Sequence, residues 1–261
     1  MVPSLANRPA AGQHARQSWY GHGVPPVLAL WDVDYTLVQA GGAGLGLYKA
    51  VLADLYGLDL PGQLSSMAGR TDSAIMLEVL AAAGVDAASE LPRFHRALAE
   101  RAPEVADMVR EHGTALPGAR AALAALAGYA ANGAVVQSLL TGNILALARV
   151  KLEAFGLTDH LDLDVGAYGD VSRVRADLVP VARRNAAARY GADFGGHATV
   201  LIGDTPHDVE AATAAGARGV GVATGRFSVR QLADAGADVV LPDLTDTAGV
   251  VAAVLDGWLC R

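Results

Sequence analysis

The sequence predicts an α/β fold, a doubly wound parallel sheet with a helical block inserted after its first strand. Short apolar runs of strand length recur along the 261 residues, alternating with stretches of helical periodicity, and such alternation is most simply met by parallel strands with helical crossovers. From about residue 45 to 111 the periodicity is helical throughout, with no convincing strand. Three of the apolar runs end in small polar or acidic residues: Asp32 and Asp34, Thr141 and Asn143, Asp204 and Asp208. A doubly wound sheet gathers such strand ends on one edge, where ligands bind.

In chain order, residues 1–26 hold Pro, Ala, Gly, Arg and His without the apolar block of a signal peptide, and are expected to form a disordered tail on a cytoplasmic protein. Val27 to Trp31 follows a Pro25-Pro26 pair and is apolar continuously, as a strand covered on both faces should be. On an extended chain Asp32 and Asp34 would point to the same side and could share a cation. The glycine-rich stretch 38–44 lacks the lysine-serine ending of a P-loop and reads as a hinge or a close-approach loop. In the helical block, Leu47, Val51 and Leu55, then Ile75, Val79 and Leu80, then Phe94, Leu98 and Val105 mark the buried faces. The turn Gly69-Arg70-Thr71-Asp72 leads into one of these helices, with Thr71 or Asp72 as N-cap and Arg70 free to reach a ligand or water.

Pro117-Gly118 opens the second alternating series. A helix over 119–129 leads to a strand over 134–140, and Asn143 is placed to cap a helix over 144–155. A strand is expected near 161–169, then a polar loop with Arg173 and Arg175, a helix around 177–190 and a strand over 198–203. Thr205 as N-cap, Pro206 as first helical residue and Asp208 three residues past the cap start another helix. Strands over 219–223 and 238–241 complete the sheet, and an apolar helix over 248–259 could serve packing or a homodimer contact.

Bulk composition narrows the function classes. An apolar content of 52% supports a substantial core, and no apolar run approaches membrane-spanning length. A net charge of −7 without a basic run argues against nucleic acid or an anionic membrane as the main partner. The single cysteine, Cys260, excludes an internal disulfide. Lys49 and Lys151 are the only lysines against 18 arginines. Carboxylates gathered in one cleft repel and require a cation, and oxygen ligands without His or Cys favour Mg²⁺.

Asp32-x-Asp34-x-Thr36-Leu37, then Thr141-Gly142-Asn143, then Gly203-Asp204-Thr205-x-x-Asp208 resemble three of the four signature motifs of the haloacid dehalogenase (HAD) superfamily, in their usual order. The likeness spans residues 27 to about 240. It implies a Rossmann-like catalytic core, assigned to 27–44 and 112–261, with residues 45–111 as a helical cap. The turn at Gly69 to Asp72 is similar to the cap loop of phosphoglycolate-phosphatase-like members. The resemblance implies Asp32 as nucleophile and Asp34 as general acid/base. It implies Thr141, Gly142 and Asn143 around the phosphoryl oxygens, and Mg²⁺ held by Asp32, the Asp34 main-chain carbonyl and Asp204, with Asp208 either a ligand or hydrogen-bonded around the ion. Arg70 could meet a substrate carboxylate.

Two positions depart from that pattern. Tyr35 stands where the superfamily usually carries glycine, and the lysine expected between the second and third motifs is missing. Arg175, with Arg173 beside it, occupies the loop where that lysine usually sits, and an arginine neutralises phosphate there in a forked manner. Lys151 competes, because it falls on the apolar stripe of its helix, where a charge needs a partner unless it snorkels to water. The activity implied is a Mg²⁺-dependent phosphatase acting on a small phosphomonoester through an aspartyl-phosphate. A phosphomutase or a dehalogenase on the same scaffold, or a non-catalytic binding protein, are the alternatives; Asp34 argues against the dehalogenase.

Overall fold

A computed structural model describes residues 26–60, 67–130 and 133–256. The chain enters through β1 (Val27–Trp31) and the two-residue β2 (Val38–Gln39), then runs through α1 (Ala43–Tyr56), α2 (Asp72–Ala82), α3 (Ala87–Arg101) and α4 (Ala106–His112) before β3 (Thr114–Ala115). It continues with α5 (Ala119–Ala130), β4 (Val135–Leu139), α6 (Leu145–Glu153), α7 (Leu178–Tyr190), β5 (Thr199–Gly203), α8 (Pro206–Ala214), β6 (Arg218–Val222), α9 (Val229–Asp234), β7 (Val239–Leu241) and α10 (Thr247–Leu255). The expected disordered tail lies outside the described residues, except for Pro26, and so do Trp258 and Cys260.

Five strands form one parallel sheet in the order β4-β1-β5-β6-β7. The chain steps from β1 to one side and then crosses back to the other, so β1 is the topological switch point and the crevice beyond its carboxyl end is the expected ligand site. The alternation along β1 shows why that strand must be apolar throughout. Val27, Ala29 and Trp31 pack with α5 and α10, whereas Leu28 and Leu30 face α7 and α8.

The helical block lies between β2 and β3, which pair antiparallel, so the two chain crossings into it run side by side. Gly41, in the left-handed region at φ +62°, allows the close approach read from the sequence, since a Cβ there would lie 2.7 Å from His112. The block has its own apolar cluster, with Leu47, Val51, Ile75, Val79, Phe94 and Leu98 buried as the periodicity predicts. Ile144 and Leu147 join that cluster, while Ala148 and Leu152 of the same helix join the sheet core. Helix α6 is therefore the junction between the two apolar clusters.

The strand expected near 161–169 is replaced by a 3₁₀ turn at Leu163–Val165 and a single bridge from Ala167 to Leu140. The cause is local. The Asp162 side chain accepts the Asp164 amide at 3.2 Å and starts the turn, so the segment meets β4 only at its two ends, through Asp162 N to Gln137 O and Ala167 N to Leu139 O.

Trp31, the residue before the acidic pair, is fully buried, and its indole N–H donates to Gln137 Oε1 at 3.2 Å. Gln137 in turn donates to the Leu123 carbonyl at 2.9 Å. Gln137→Leu should lower unfolding stability by about 1–3 kcal/mol because it orphans the indole N–H, and adding Trp31→Phe should recover part of the loss, as chemical denaturation would measure.

Candidate active site

The chain leaves the sheet at Trp31, and this separates the two aspartates. Asp32 N donates to Ile202 O at 2.8 Å, then Val33 O accepts from Thr36, Leu37 and Val38 in a tight turn. The carboxylates therefore do not share a cation side by side, as an extended chain would have them. Asp32 turns toward β5, and Asp34 turns toward α6.

On the first side, ligand atoms of Asp32, Asp204 and Asp208 all lie within 4.8 Å of one another, and all three residues are buried. Asp204 follows directly on β5. Asp208 is fixed by the helix start, its Oδ2 accepting from Thr205 N at 3.1 Å and Thr205 Oγ1 at 2.7 Å. Its structural role at the start of α8 and its place in the cluster thus coexist. Room for this cluster comes from two glycines: a Cβ on Gly203 would lie 2.1 Å from the Asp208 carboxyl carbon, and one on Gly225 would lie 1.8 Å from Asp204 Oδ2. Gly225 gave no signal in the sequence, since only the fold brings the loop after β6 to Asp204.

Arg175 is the cation of this cluster. Its Nη2 lies 3.0 Å from Asp32 Oδ1 and 2.5 Å from Asp208 Oδ1 and also donates to Leu140 O at 3.1 Å, while Nη1 donates to Gly69 O at 3.2 Å. Burial disfavours its charge, but Asp208 and Asp32 outweigh that penalty and hold its pKa above the ordinary range. Burial pushes the Asp32 carboxyl up to about 6, with Arg175 opposing and Asp208 and Asp34 reinforcing. Asp204 is pushed to about 9 by burial and then by Asp32 and Asp208, and its Oδ1 is buried without a hydrogen-bond partner.

On the second side, Lys151 does not snorkel. Its Nζ, buried with the rest of the side chain, lies 2.8 and 2.6 Å from the two Asp34 oxygens and 2.7 Å from Asn143 Oδ1. Asn143 Nδ2 donates to Asp34 Oδ2 at 2.8 Å and to Thr141 Oγ1 at 3.0 Å. The two residues that competed for the missing lysine's place therefore serve different aspartates, and Arg173 is exposed. The expected N-cap role of Asn143 does not hold: Ile144 is the N-cap of α6, without a side-chain cap of its own, because the Asn143 amide group is committed to Asp34 and Lys151.

Gly142 lies where the helical block touches this loop, since a Cβ there would be 2.0 Å from Arg70 O. Thr71 caps α2 as expected, accepting from Ala74 N at 3.2 Å. Arg70, the candidate for a substrate carboxylate, instead turns along α2 to Glu78 Oε2 at 2.7 Å and Ala74 O at 3.1 Å. A cavity of about 600 Å³ lies behind α6, lined by residues including His95, Arg110, Arg149 and Asp170, and includes none of the acidic residues above.

Tyr35 is in the left-handed region at φ 58°, the conformation for which glycine is suited, and Thr224 Oγ1 secures its carbonyl at 2.5 Å. Its side chain is half exposed. A left-handed residue with a Cβ costs about 1–2 kcal/mol, so Tyr35→Gly should stabilise the protein by about 0.5–1 kcal/mol after the glycine's added unfolded-state entropy, measurable as a raised melting temperature.

A HAD-hydrolase-like family model matches residues 174–247, the part holding Arg175, Asp204 and Asp208. Phosphoglycolate phosphatase of Cupriavidus necator is 32% identical over 200 residues, 74% of this chain and 79% of that protein. Probable phosphatase IndB of Dickeya dadantii is 28% identical over 236 residues, 87% of this chain and 94% of that protein. The crystal structure of a predicted phosphatase from Clostridium acetobutylicum has the same fold, with a TM-score of 0.59 at 19% identity, covering 87% of this chain and 99% of that one. With the three motif-bearing strand ends converging on one edge of the sheet, the chain belongs to the haloacid dehalogenase superfamily, among its phosphatase-type hydrolases.

Proposed function

We propose that the chain is a Mg²⁺-dependent phosphatase that hydrolyses a small phosphomonoester through an aspartyl-phosphate on Asp32. The observation that carries this reading is the buried cluster of Asp32, Asp204 and Asp208, whose three carboxylates face one guanidinium. The orphaned Asp204 Oδ1 and the raised Asp204 pKa fit a donor set that lacks positive charge. Asp32, Asp204 and Asp208, with the Asp34 main-chain carbonyl, would hold Mg²⁺, which would supply charge neutralisation to the phosphoryl group.

This chain's residues divide the remaining work. An Asp32 oxygen attacks phosphorus and the bond to the leaving oxygen breaks, while Asp34 gives that oxygen a proton. In the second half, Asp34 takes a proton from water, whose oxygen attacks phosphorus and breaks the bond to Asp32, releasing inorganic phosphate. Lys151 and Asn143 hold the Asp34 carboxylate in orientation, and Arg175 balances charge beside the nucleophile. The Thr141 hydroxyl and the Gly142 and Asn143 amides are the proposed phosphoryl contacts. Residues 45–111 act as a cap over the site, in keeping with the near-complete burial of Asp32, Asp204 and Asp208.

Phosphoglycolate, named for the Cupriavidus relative, heads the list of candidate substrates. Arg70, ion-paired within α2, is not the residue that would read its carboxylate in this arrangement. With p-nitrophenyl phosphate, wild-type activity should require Mg²⁺ and vanish with EDTA, and Asp32→Asn should reduce kcat by about 10³-fold or more. Metal-independent turnover, or an active Asp32→Asn protein, would overturn the reading.

The carboxyl shifts set a pH dependence. Asp32 and Asp204 hold protons in the folded protein up to about 6 and about 9, above the ordinary carboxylate value of 3.8. The metal-free fold then binds more protons than the unfolded chain across that window, so these two groups make stability fall as pH rises from about 4 to about 9. Mg²⁺ held by these carboxylates would displace those protons, so its affinity should rise with pH. The melting-temperature increase given by a fixed Mg²⁺ concentration should therefore be small at pH 5.5 and larger at pH 8.5; a pH-independent increase would count against binding by these carboxylates.

A further inference from the structure

Helix α6 carries Lys151 but has no capping side chain of its own, since the N-cap Ile144 offers none. The acceptor comes from the helical block. Asp72, in the first turn of α2, receives the Ile144 amide on Oδ2 at 2.8 Å, across 72 residues of chain. Its carboxylate is thus set at the positive end of α6, where an anion is favoured.

The contact is built rather than incidental. Asp72 is buried, its own amide donates to Gly142 O at 2.7 Å, and the next residue, Ser73, donates to Gly169 O through its amide at 3.1 Å and its hydroxyl at 2.6 Å. A Cβ on Gly169 would lie 1.7 Å from Gly142 O, so the three segments meet at backbone distance. The Tyr48 hydroxyl of α1 is buried on the block's side, and its pKa is raised by burial first and then by the nearby Asp72 carboxylate. Within the next two turns, α6 places Lys151 against both oxygens of Asp34.

We propose that Asp72 is a positioning residue: by capping α6 from the helical block it fixes the helix that aims Lys151 at Asp34, so the proton-transfer geometry is complete only when the block is docked. The proton-transfer part rests on the phosphatase reading above. The capping part does not.

The two parts are tested separately. Asp72→Ala should speed hydrogen exchange in a peptide covering residues 143–151 and leave β1 unchanged, whereas Asp72→Asn, which keeps an acceptor oxygen, should exchange nearly as wild type does. In kinetics, Asp72→Ala should lower kcat about tenfold on an alkyl phosphate, whose leaving group needs a proton, and less than about threefold on p-nitrophenyl phosphate, with KM little changed. Asp72→Asn should recover most of the loss. Equal losses on both substrates, or unaltered exchange over 143–151, overturn the proposal. Should Asp72→Ala not fold, Asp72→Glu, which keeps the charge but moves the acceptor by one methylene, is measured in its place against the same outcomes. A wild-type protein inactive on every phosphomonoester would defeat the phosphatase reading, while the exchange experiment still decides the capping.

Discussion

Three carboxylates within 4.8 Å of one another, out of water and facing a single guanidinium, are the constraint on which the other features of the site depend. Two like charges at about 4 Å repel by roughly 4 kcal/mol at an effective dielectric of 20, and such repulsion must be held by the surrounding fold or relieved by protons or a cation. The fold supplies the holding. Asp208 is locked by Thr205, Gly203 and Gly225 leave room for the carboxyl groups, and the two terminal Arg175 nitrogens also donate to the carbonyls of Leu140 and Gly69, while its Nε is buried without a partner. The relief is partial, as the raised values of Asp32 and Asp204 show. That unfinished neutralisation is what makes the cluster suited to a cation and a phosphoryl group.

The second aspartate escapes the cluster because the strand ends one residue before Asp32. The turn carries Asp34 across to α6, at the cost of a left-handed Tyr35, and places it with a lysine and an amide instead of with other acids. One short segment thus presents two carboxylates in opposite electrostatic settings. Asp32 faces acids moderated by an arginine; Asp34 faces a lysine. Burial and the neighbouring acids push the Asp32 carboxyl up, so in the proposed reading its attack depends on a cation that would hold it ionised.

The strands, the helical block and the acidic strand ends were legible because they depend on local pattern: continuous apolar runs, helical periodicity and turn residues. The long-range pairings were not. Lys151 meets Asp34 across 117 residues and Asp72 meets Ile144 across 72, and no local period encodes either contact. The buried position of Lys151 on an apolar stripe was visible, which showed that it needed a partner but not which one. Arg175 and Lys151 looked like rivals for one role because the sequence does not show that the turn after Trp31 parts the two aspartates. Near residue 163 the alternating Leu161, Leu163 and Val165 resemble a strand, but a hydrogen bond from an amide to the Asp162 side chain diverts the chain into a 3₁₀ turn.

Helix α6 joins these observations, since one helix contributes to both apolar clusters and carries the lysine that pairs with Asp34. Polar bonds between the helical block and the loops at the sheet edge include Asp72 to Gly142 and Ile144, Ser73 to Gly169, and Arg175 to Gly69. Each hydrogen bond contributes a net of about 0.5–1.5 kcal/mol, and Ile144 and Leu147 add apolar burial in the block's own cluster. Asp32, Asp204 and Asp208 are almost wholly buried, so in the proposed reading undocking of the block belongs to the reaction cycle. Each undocking removes the Asp72 cap from α6 and loosens the hold of Lys151 on Asp34. In that reading Asp34 is ordered when the site is closed over a substrate and relaxed when the site is open to water, which would couple the readiness of the proton donor to the presence of something to protonate.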